Sequence, residues 1–294
     1  MMTPRSFLFV PGDSARKLAK ASAGAAHALV LDLEDSVAAE QLGSARQTVR
    51  EFLLAHTDRS RQQVWVRINP LDSGKALDDL AQVMVGAPDG LLLPKCLGAA
   101  DIQRLDHYLS ALECREGIAA GATRIVSVAT ETPNAMFGLG SYQGSSPRLA
   151  GLTWGAEDLS AAVGASTNRA DDGTYSFVYQ LARTLCLLGA KAAGVHPIDS
   201  VLPDFRNTDA LRAEVRRARQ DGFTAKFAIH PDQVEVINAG FLPDAGEIAH
   251  ARAVVAAFRE AGRVGTLQVD GKMVDKPHLT QALQILVAAG EEVV

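Results

Sequence analysis

The chain has 294 residues, 47% of them hydrophobic, with a formal net charge of −5. That length suits one large α/β core of roughly 250 residues with an extension, and the absence of a Lys/Arg block argues against a nucleic-acid surface. Three scattered cysteines (Cys96, Cys114, Cys186) form no CxxC pair, no run of some 18 apolar residues offers a membrane span, and no charged-then-apolar leader opens the chain. A soluble cytoplasmic protein is the expectation.

In chain order, Ser6–Val10 reads as a first strand stopped by Pro11-Gly12. Asp13 or Ser14 then caps a helix running to Lys20. His27–Leu33 is the second strand and ends in acid: Asp32, Glu34 and Asp35. A helix follows with Ala45, Val49, Phe52 and Leu53 at helical spacing. Val64–Ile68 is the third strand, with Arg67 near its end. Leu77–Val85 is helical, and Gly90–Leu93 is the fourth strand, closing on Pro94-Lys95. Ile102, Leu105, Leu109 and Leu112 mark one face of the next helix.

Arg124–Thr130 and Gly151–Gly155 are strands five and six. Each leads into a carboxylate, Glu131 after the first and Asp158 after the second. Phe177, Leu181, Leu185 and Leu188 define the apolar face of an amphipathic helix. Ala193–Ile198 and Phe227–His230 complete eight strand candidates. Strands alternating with helices indicate parallel βα units, and eight of them close a (β/α)8 TIM barrel. The other arrangement, an open doubly wound sheet, lacks its usual nucleotide signatures: no GxGxxG follows an early strand, and no GxxxxGK[ST] occurs.

The alternation stops near Gly240. A catalytic barrel over 1–240 and a C-terminal extension over 241–294, packing on a neighbouring subunit, lidding a site or serving as a plain structural cap, are the expected domains. The extension reads as an alanine-rich helix (Asp244–Ala261), a hairpin turning at Asp270-Gly271, and a last helix from Pro277 to Ala289.

In a parallel barrel, residues just past the C-terminal strand ends line the active-site face. Glu131 and Asp158 would meet there, and two hard oxygen ligands suit Mg²⁺ with water and substrate filling the remaining positions. On position alone, each could equally cap a helix or pair with an arginine. Glu157, next to Asp158, is an alternative ligand. No HxxH or HxxxH spacing exists among the seven histidines, which argues against zinc.

Eight segments together give the chain a resemblance. They are Arg5–Gly12, Leu31–Val37, Val66–Asn69, Leu93–Lys95, Glu131–Pro133, Gly155–Leu159, Ile229–Gln233 and Asp270–Asp275. In this order they resemble the citrate lyase β-subunit-like family, within the wider class of HpcH/HpaI aldolases and malyl-CoA lyases. The resemblance implies a Mg²⁺-dependent carbon-carbon lyase. It would cleave a 3-hydroxyacyl-CoA thioester, such as malyl-CoA or citramalyl-CoA, to a 2-oxo acid and an acyl-CoA. It also implies Glu131 and Asp158 as metal ligands, with Glu131 and Arg67 at the substrate. Members are typically trimers or hexamers, in which the aspartate matching Asp275 acts as acid/base in the next subunit's site.

The chemistry agrees with these residue types. A metal on two carboxylates polarises and positions the 2-oxo group, Arg67 stabilises the thioester enolate, and Asp275 protonates it. Such an aspartate needs a raised pKa, most simply through burial. Glu34 and Asp35 either orient metal waters or Arg67, or serve as helix-start acids. Lys95 reads as a solvated lysine, with contact to a phosphate or pantetheine as the alternative. Arg5, Arg16, Lys17 and Lys20 are candidates for a coenzyme A phosphate. Val195–Ser200 departs from the family's usual wording and is expected to reshape the pocket. Two other functions stay open: a citrate lyase β subunit acting on citryl-acyl carrier protein, and an inactive ligand-binding scaffold, which would be expected to lack Glu131, Asp158 or Arg67.

Overall fold

The structure is a computed structural model that describes residues 3–262 and 264–291. Eight parallel strands close into a barrel in sequence order. They are β1 (Ser6–Pro11), β2 (Ala28–Asp32), β3 (Gln63–Arg67), β4 (Gly90–Leu93), β5 (Arg124–Val128), β6 (Leu149–Thr153), β7 (His196–Asp199) and β8 (Ala225–Ala228). Closure comes from β1 pairing with β8 at Phe7↔Phe227. The protein is therefore a (β/α)8 TIM barrel with additional C-terminal elements.

Side chains alternate along each strand, so every second residue fills the barrel. Phe7, Val30, Trp65, Leu92, Val126, Ile198 and Phe227 form that interior. Phe7 meets Trp65 edge-on at 5.9 Å and Phe227 at 5.3 Å. Gly90 is required here, because a Cβ would lie 2.2 Å from the Trp65 ring.

The surrounding helices are α1 (Ala15–Ser22), α2 (Leu42–Ala55), α3 (Ala76–Val83), α4 (Ala99–Glu116), α5 (Pro133–Gly138), α6 (Ala156–Val163), α7 (Phe177–Ala193), α8 (Thr208–Asp221) and α9 (Val234–Gly240). Of the two candidates for the first cap, Ser14 accepts from the Lys17 amide.

Two expectations shift. β7 begins later, at His196, because α7 continues to Ala193 and ends on Gly194 at φ 70°, and β8 begins earlier, at Ala225. The apolar face expected for α7 is also the wrong one. Phe177, Leu181 and Leu188 are exposed, while Tyr179, Ala182, Cys186, Gly189 and Ala190 are buried. Small residues let this helix approach closely, and a Cβ on Gly189 would come 2.9 Å from the Leu139 carbonyl oxygen.

The chain divides into two compact units, the first ending at Asn238 and the second beginning at Ala239. The second contains α10 (Ala245–Ala261), β9 (Thr266–Val269), β10 (Lys272–Asp275) and α11 (Lys276–Ala288). α10 opens with a reciprocal cap between Asp244 and Glu247. β9 and β10 are antiparallel and turn at Asp270 (φ 51°) and Gly271 (φ 76°), the left-handed pair a two-residue hairpin needs. Val254, Phe258, Val269, Val274 and Leu286 are among its core residues. No helix among the described residues is long and apolar enough to cross a membrane.

Candidate active site

The strand register builds the first half of the site. Asp32 and Arg67 are the last residues of neighbouring strands β2 and β3 and are direct partners across them. Arg67 Nε donates to Asp32 Oδ1 and Nη2 to Oδ2, both at 2.7 Å. The guanidinium lies 4.8 Å above the Phe9 ring. Its remaining Nη1 faces Glu34 Oε2 at 3.0 Å and Asp35 Oδ2 at 3.5 Å. Burial opposes the charge of Arg67, but Asp32, Glu34 and Asp35 together outweigh it and hold the proton more firmly than usual. Burial likewise opposes ionisation of Asp32, and Arg67 with Ser36 and the Glu34 amide reverses that, leaving the carboxyl below its usual range. Glu34 goes the other way: burial pushes it up against the pull of Arg67 and Lys95.

The loop after β2 is fixed from beneath. Leu33 N–H donates to the Arg67 carbonyl, and the Asn69 amide donates to the Leu33 carbonyl at 2.9 Å. Asn69 also donates to Asp79, which is buried and held by Arg46 at 2.7 Å.

β4, β5 and β6 supply the second half. Lys95 follows β4 in a left-handed conformation (φ 51°). Its amide donates to Glu131 Oε2 at 2.5 Å, and its ammonium reaches Glu34 Oε1 at 2.5 Å and Asp158 Oδ1 at 3.5 Å. Glu131 follows β5 and is 4% exposed. Burial, then the charge of Asp158, push its pKa up to about 8. Gly155 leaves room for it, because a Cβ there would fall 2.9 Å from Glu131 Cγ. The Gly155 amide is bound by Thr130 Oγ1.

Asp158 lies in the first turn of α6, where a carboxylate is also favoured by the helix dipole. Glu157 turns to the loop beyond α6 and accepts from Asn168 at 2.9 Å.

Thus Arg67, Glu34, Asp35, Lys95, Glu131 and Asp158 converge on the C-terminal face of the barrel. Two of the participants carry more than the sequence suggested. Asp32 was legible only as one acid among several at a strand end. Lys95, read as solvated, is an ion-pair partner of both Glu34 and Asp158.

Asp275 belongs to the second unit, at the N-cap of α11. It is partly exposed and lies 2.5 Å from His278 Nδ1, and that hydrogen bond holds its carboxyl below the usual range. Within the single chain, the raised pKa expected of a proton donor is therefore not present.

Arg5 precedes β1, so it stands at the opposite mouth of the barrel from the carboxylates. Arg16 and Lys17 occupy the first turn of α1, directly after β1. Val195–Ser200 contains β7 and ends just past its C-terminal end. His196 begins β7 at the far mouth. Asp199 alternates with interior Ile198 and so faces the helices, accepting from Trp154, Arg183 and Lys226. Trp154, Arg183 and Asp199 edge a cavity of about 730 Å³ between α7 and α8. His230 caps the turn after β8 and stacks on Phe205, a structural role.

Among the described residues, no group of three His, Cys, Asp or Glu side chains converges as an all-protein metal cage. The donor set that does fit a cation is Glu131 with Asp158. They are hard oxygens whose mutual repulsion already raises Glu131, and an ion such as Mg²⁺ needs only one or two carboxylates beside water and substrate.

A (β/α)8 barrel with a carboxylate pair, a locked arginine and a lysine at its C-terminal mouth is the architecture of a barrel enzyme handling an anionic substrate. The chain belongs to the HpcH/HpaI aldolase/citrate lyase family, whose model matches residues 5–231. It is 35% identical to a (3S)-malyl-CoA thioesterase of Cereibacter sphaeroides, over 97% of this chain and 94% of that one. It is 34% identical to the citrate lyase subunit beta of Escherichia coli K12, over 97% of this chain and 92% of that one. Among solved structures, it resembles protein CitE from Mycobacterium tuberculosis in complex with magnesium, acetoacetate and coenzyme A. That match has a TM-score of 0.81 and 33% identity and covers 98% of each chain.

Proposed function

We propose that this protein is a Mg²⁺-dependent carbon-carbon lyase that cleaves a 3-hydroxyacyl-CoA thioester, such as malyl-CoA or citramalyl-CoA, to a 2-oxo acid and an acyl-CoA. The observation that carries this reading is the juxtaposition of Glu131 and Asp158 beside an arginine fixed on both edges. The magnesium- and coenzyme A-bound relative supports the cofactor and the carrier.

Glu131 and Asp158 would hold the ion, which supplies Lewis acidity and a template for the 2-oxo group. Arg67 is locked by Asp32 and keeps its proton, so it offers a permanent positive charge where the enolate develops. In the cleavage direction the 3-hydroxyl gives its proton to the acid/base group, the carbon-carbon bond breaks, and its electron pair becomes the thioester enolate. A proton on the enolate carbon then completes the acyl-CoA. Asp275 is the candidate acid/base for that transfer. That role calls for a higher proton affinity than the single chain gives, which packing on another subunit in a trimer or hexamer would supply.

A second reading, a citrate lyase β subunit acting on a citryl group carried by an acyl carrier protein, is favoured by the Escherichia coli relative. The free cysteines support a reducing, cytoplasmic setting. The scaffold reading is disfavoured by the presence of Glu131, Asp158 and Arg67 together.

Glu131→Ala and Asp158→Ala test the proposal. Each should abolish Mg²⁺-dependent release of 2-oxo acid with the circular dichroism spectrum unchanged. Full activity in either variant would overturn the assignment of the pair.

A further inference from the structure

Lys95 touches both carboxylates of the pair by different atoms. Its amide, turned by the left-handed backbone, holds Glu131 Oε2 at 2.5 Å. Its ammonium lies 3.5 Å from Asp158 Oδ1. That ammonium is anchored on Glu34 Oε1 at 2.5 Å, with Asp35 Oδ1 at 3.9 Å. Arg67 is engaged elsewhere, spread over Asp32, Glu34 and Asp35. The lysine is thus a cation in direct reach of Asp158, on a side chain one-third exposed.

We propose that Lys95 is a resident counter-cation that sets the affinity of the Glu131–Asp158 pair for a divalent ion, with Glu34 drawing its ammonium away from Asp158 and so limiting the competition. The inference rests on the divalent-cation reading given above. A positive charge within ion-pair distance of a ligand oxygen opposes a second cation there, and partial burial lessens the screening that water would provide. The Lys95 amide acts in the opposite sense, because it fixes Glu131 whatever the side chain. Charge and positioning are therefore separable in this one residue. Removing the ammonium strengthens ion binding, whereas disturbing the backbone weakens it.

The test is calorimetric titration of the full-length chain with MgCl₂ alone, at one pH and low ionic strength, for wild type, Lys95→Met, Lys95→Arg and Glu34→Gln. Lys95→Met should bind Mg²⁺ roughly tenfold more tightly, equivalent to about 1.4 kcal/mol. Lys95→Arg, which keeps the charge, should stay within about twofold of wild type. Glu34→Gln should bind several-fold more weakly, because the ammonium then closes on Asp158. Should Glu34→Gln fail to fold, the Lys95 pair decides alone. Unchanged or weaker binding by Lys95→Met, or an equal shift in Lys95→Arg, overturns the counter-cation role while leaving the lyase proposal standing. No Mg²⁺ binding by either wild type or Lys95→Met overturns both.

Discussion

Arg67 and Asp32 meet as a two-pronged pair, with both nitrogen–oxygen distances at 2.7 Å, because strand register makes them direct neighbours at the ends of β2 and β3. The pair orients the guanidinium before any substrate arrives. Asp32→Asn should leave Arg67 with only Glu34 and Asp35 as ion-pair partners. Loss of one partner of an isolated buried pair costs about 3–5 kcal/mol, so a smaller loss is expected here, which urea denaturation would read directly. The pH dependence follows from the sign of the shift. Asp32 is depressed in the fold, so its contribution is present above the unfolded pKa of about 3.9 and is lost as pH falls below it. Wild type and Asp32→Asn should therefore converge in stability in acid.

Glu131 shifts in the opposite direction, to about 8. The fold disfavours its charged form, so without a bound cation this group costs stability increasingly as pH rises from about 4.3 to its folded value near 8. Glu131→Gln should abolish the cost and be at least as stable as wild type at pH values above that window. A cation must also displace the proton. Titration with Mg²⁺ should accordingly show weaker binding and proton release on the acid side of that pKa, and neither effect well above it. Affinity independent of pH across this range would contradict the assignment.

Much of this was legible in the sequence. Eight apolar runs ending in Pro, Gly or acid mark the barrel strands, and acids and bases at those ends mark the site, because side chains just past a strand terminus have no barrel interior left to enter. Two kinds of information were not local. Asp32 becomes a partner of Arg67 only through the β2–β3 register. Lys95 enters the site because its backbone is left-handed at φ 51°, which no propensity of lysine foretells. The α7 face was misread because apolar spacing says which side is hydrophobic, whereas close packing through Ala182, Gly189 and Ala190 decided which side is buried.

Gly155 gives a purely steric test of the carboxylate site. Its φ of −122° is open to alanine, so backbone strain is absent. The added Cβ would nevertheless lie 2.9 Å from Glu131 Cγ. Gly155→Ala should displace that carboxylate and weaken Mg²⁺ binding at least tenfold, with an overpacking cost of about 1–3 kcal/mol. Unchanged binding would mean that Glu131 is not held by this wall.

Asp275 should separate binding from turnover. Asp275→Asn keeps shape and the cap of α11 but cannot shuttle a proton, so kcat should fall by two orders of magnitude or more with KM little changed. His278→Ala removes the hydrogen bond that depresses the carboxyl and should shift the pH–rate profile toward higher pH. If neither variant alters the rate or the profile, the acid/base role falls.

The most direct test of the central claim is a cleavage assay with malyl-CoA, citramalyl-CoA and citryl-CoA, with and without Mg²⁺, following release of 2-oxo acid. Metal-dependent release is expected from at least one of the three, and is lost in Glu131→Ala and Asp158→Ala. Thioester hydrolysis without carbon-carbon cleavage, or silence on all three with no Mg²⁺ binding, would contradict it.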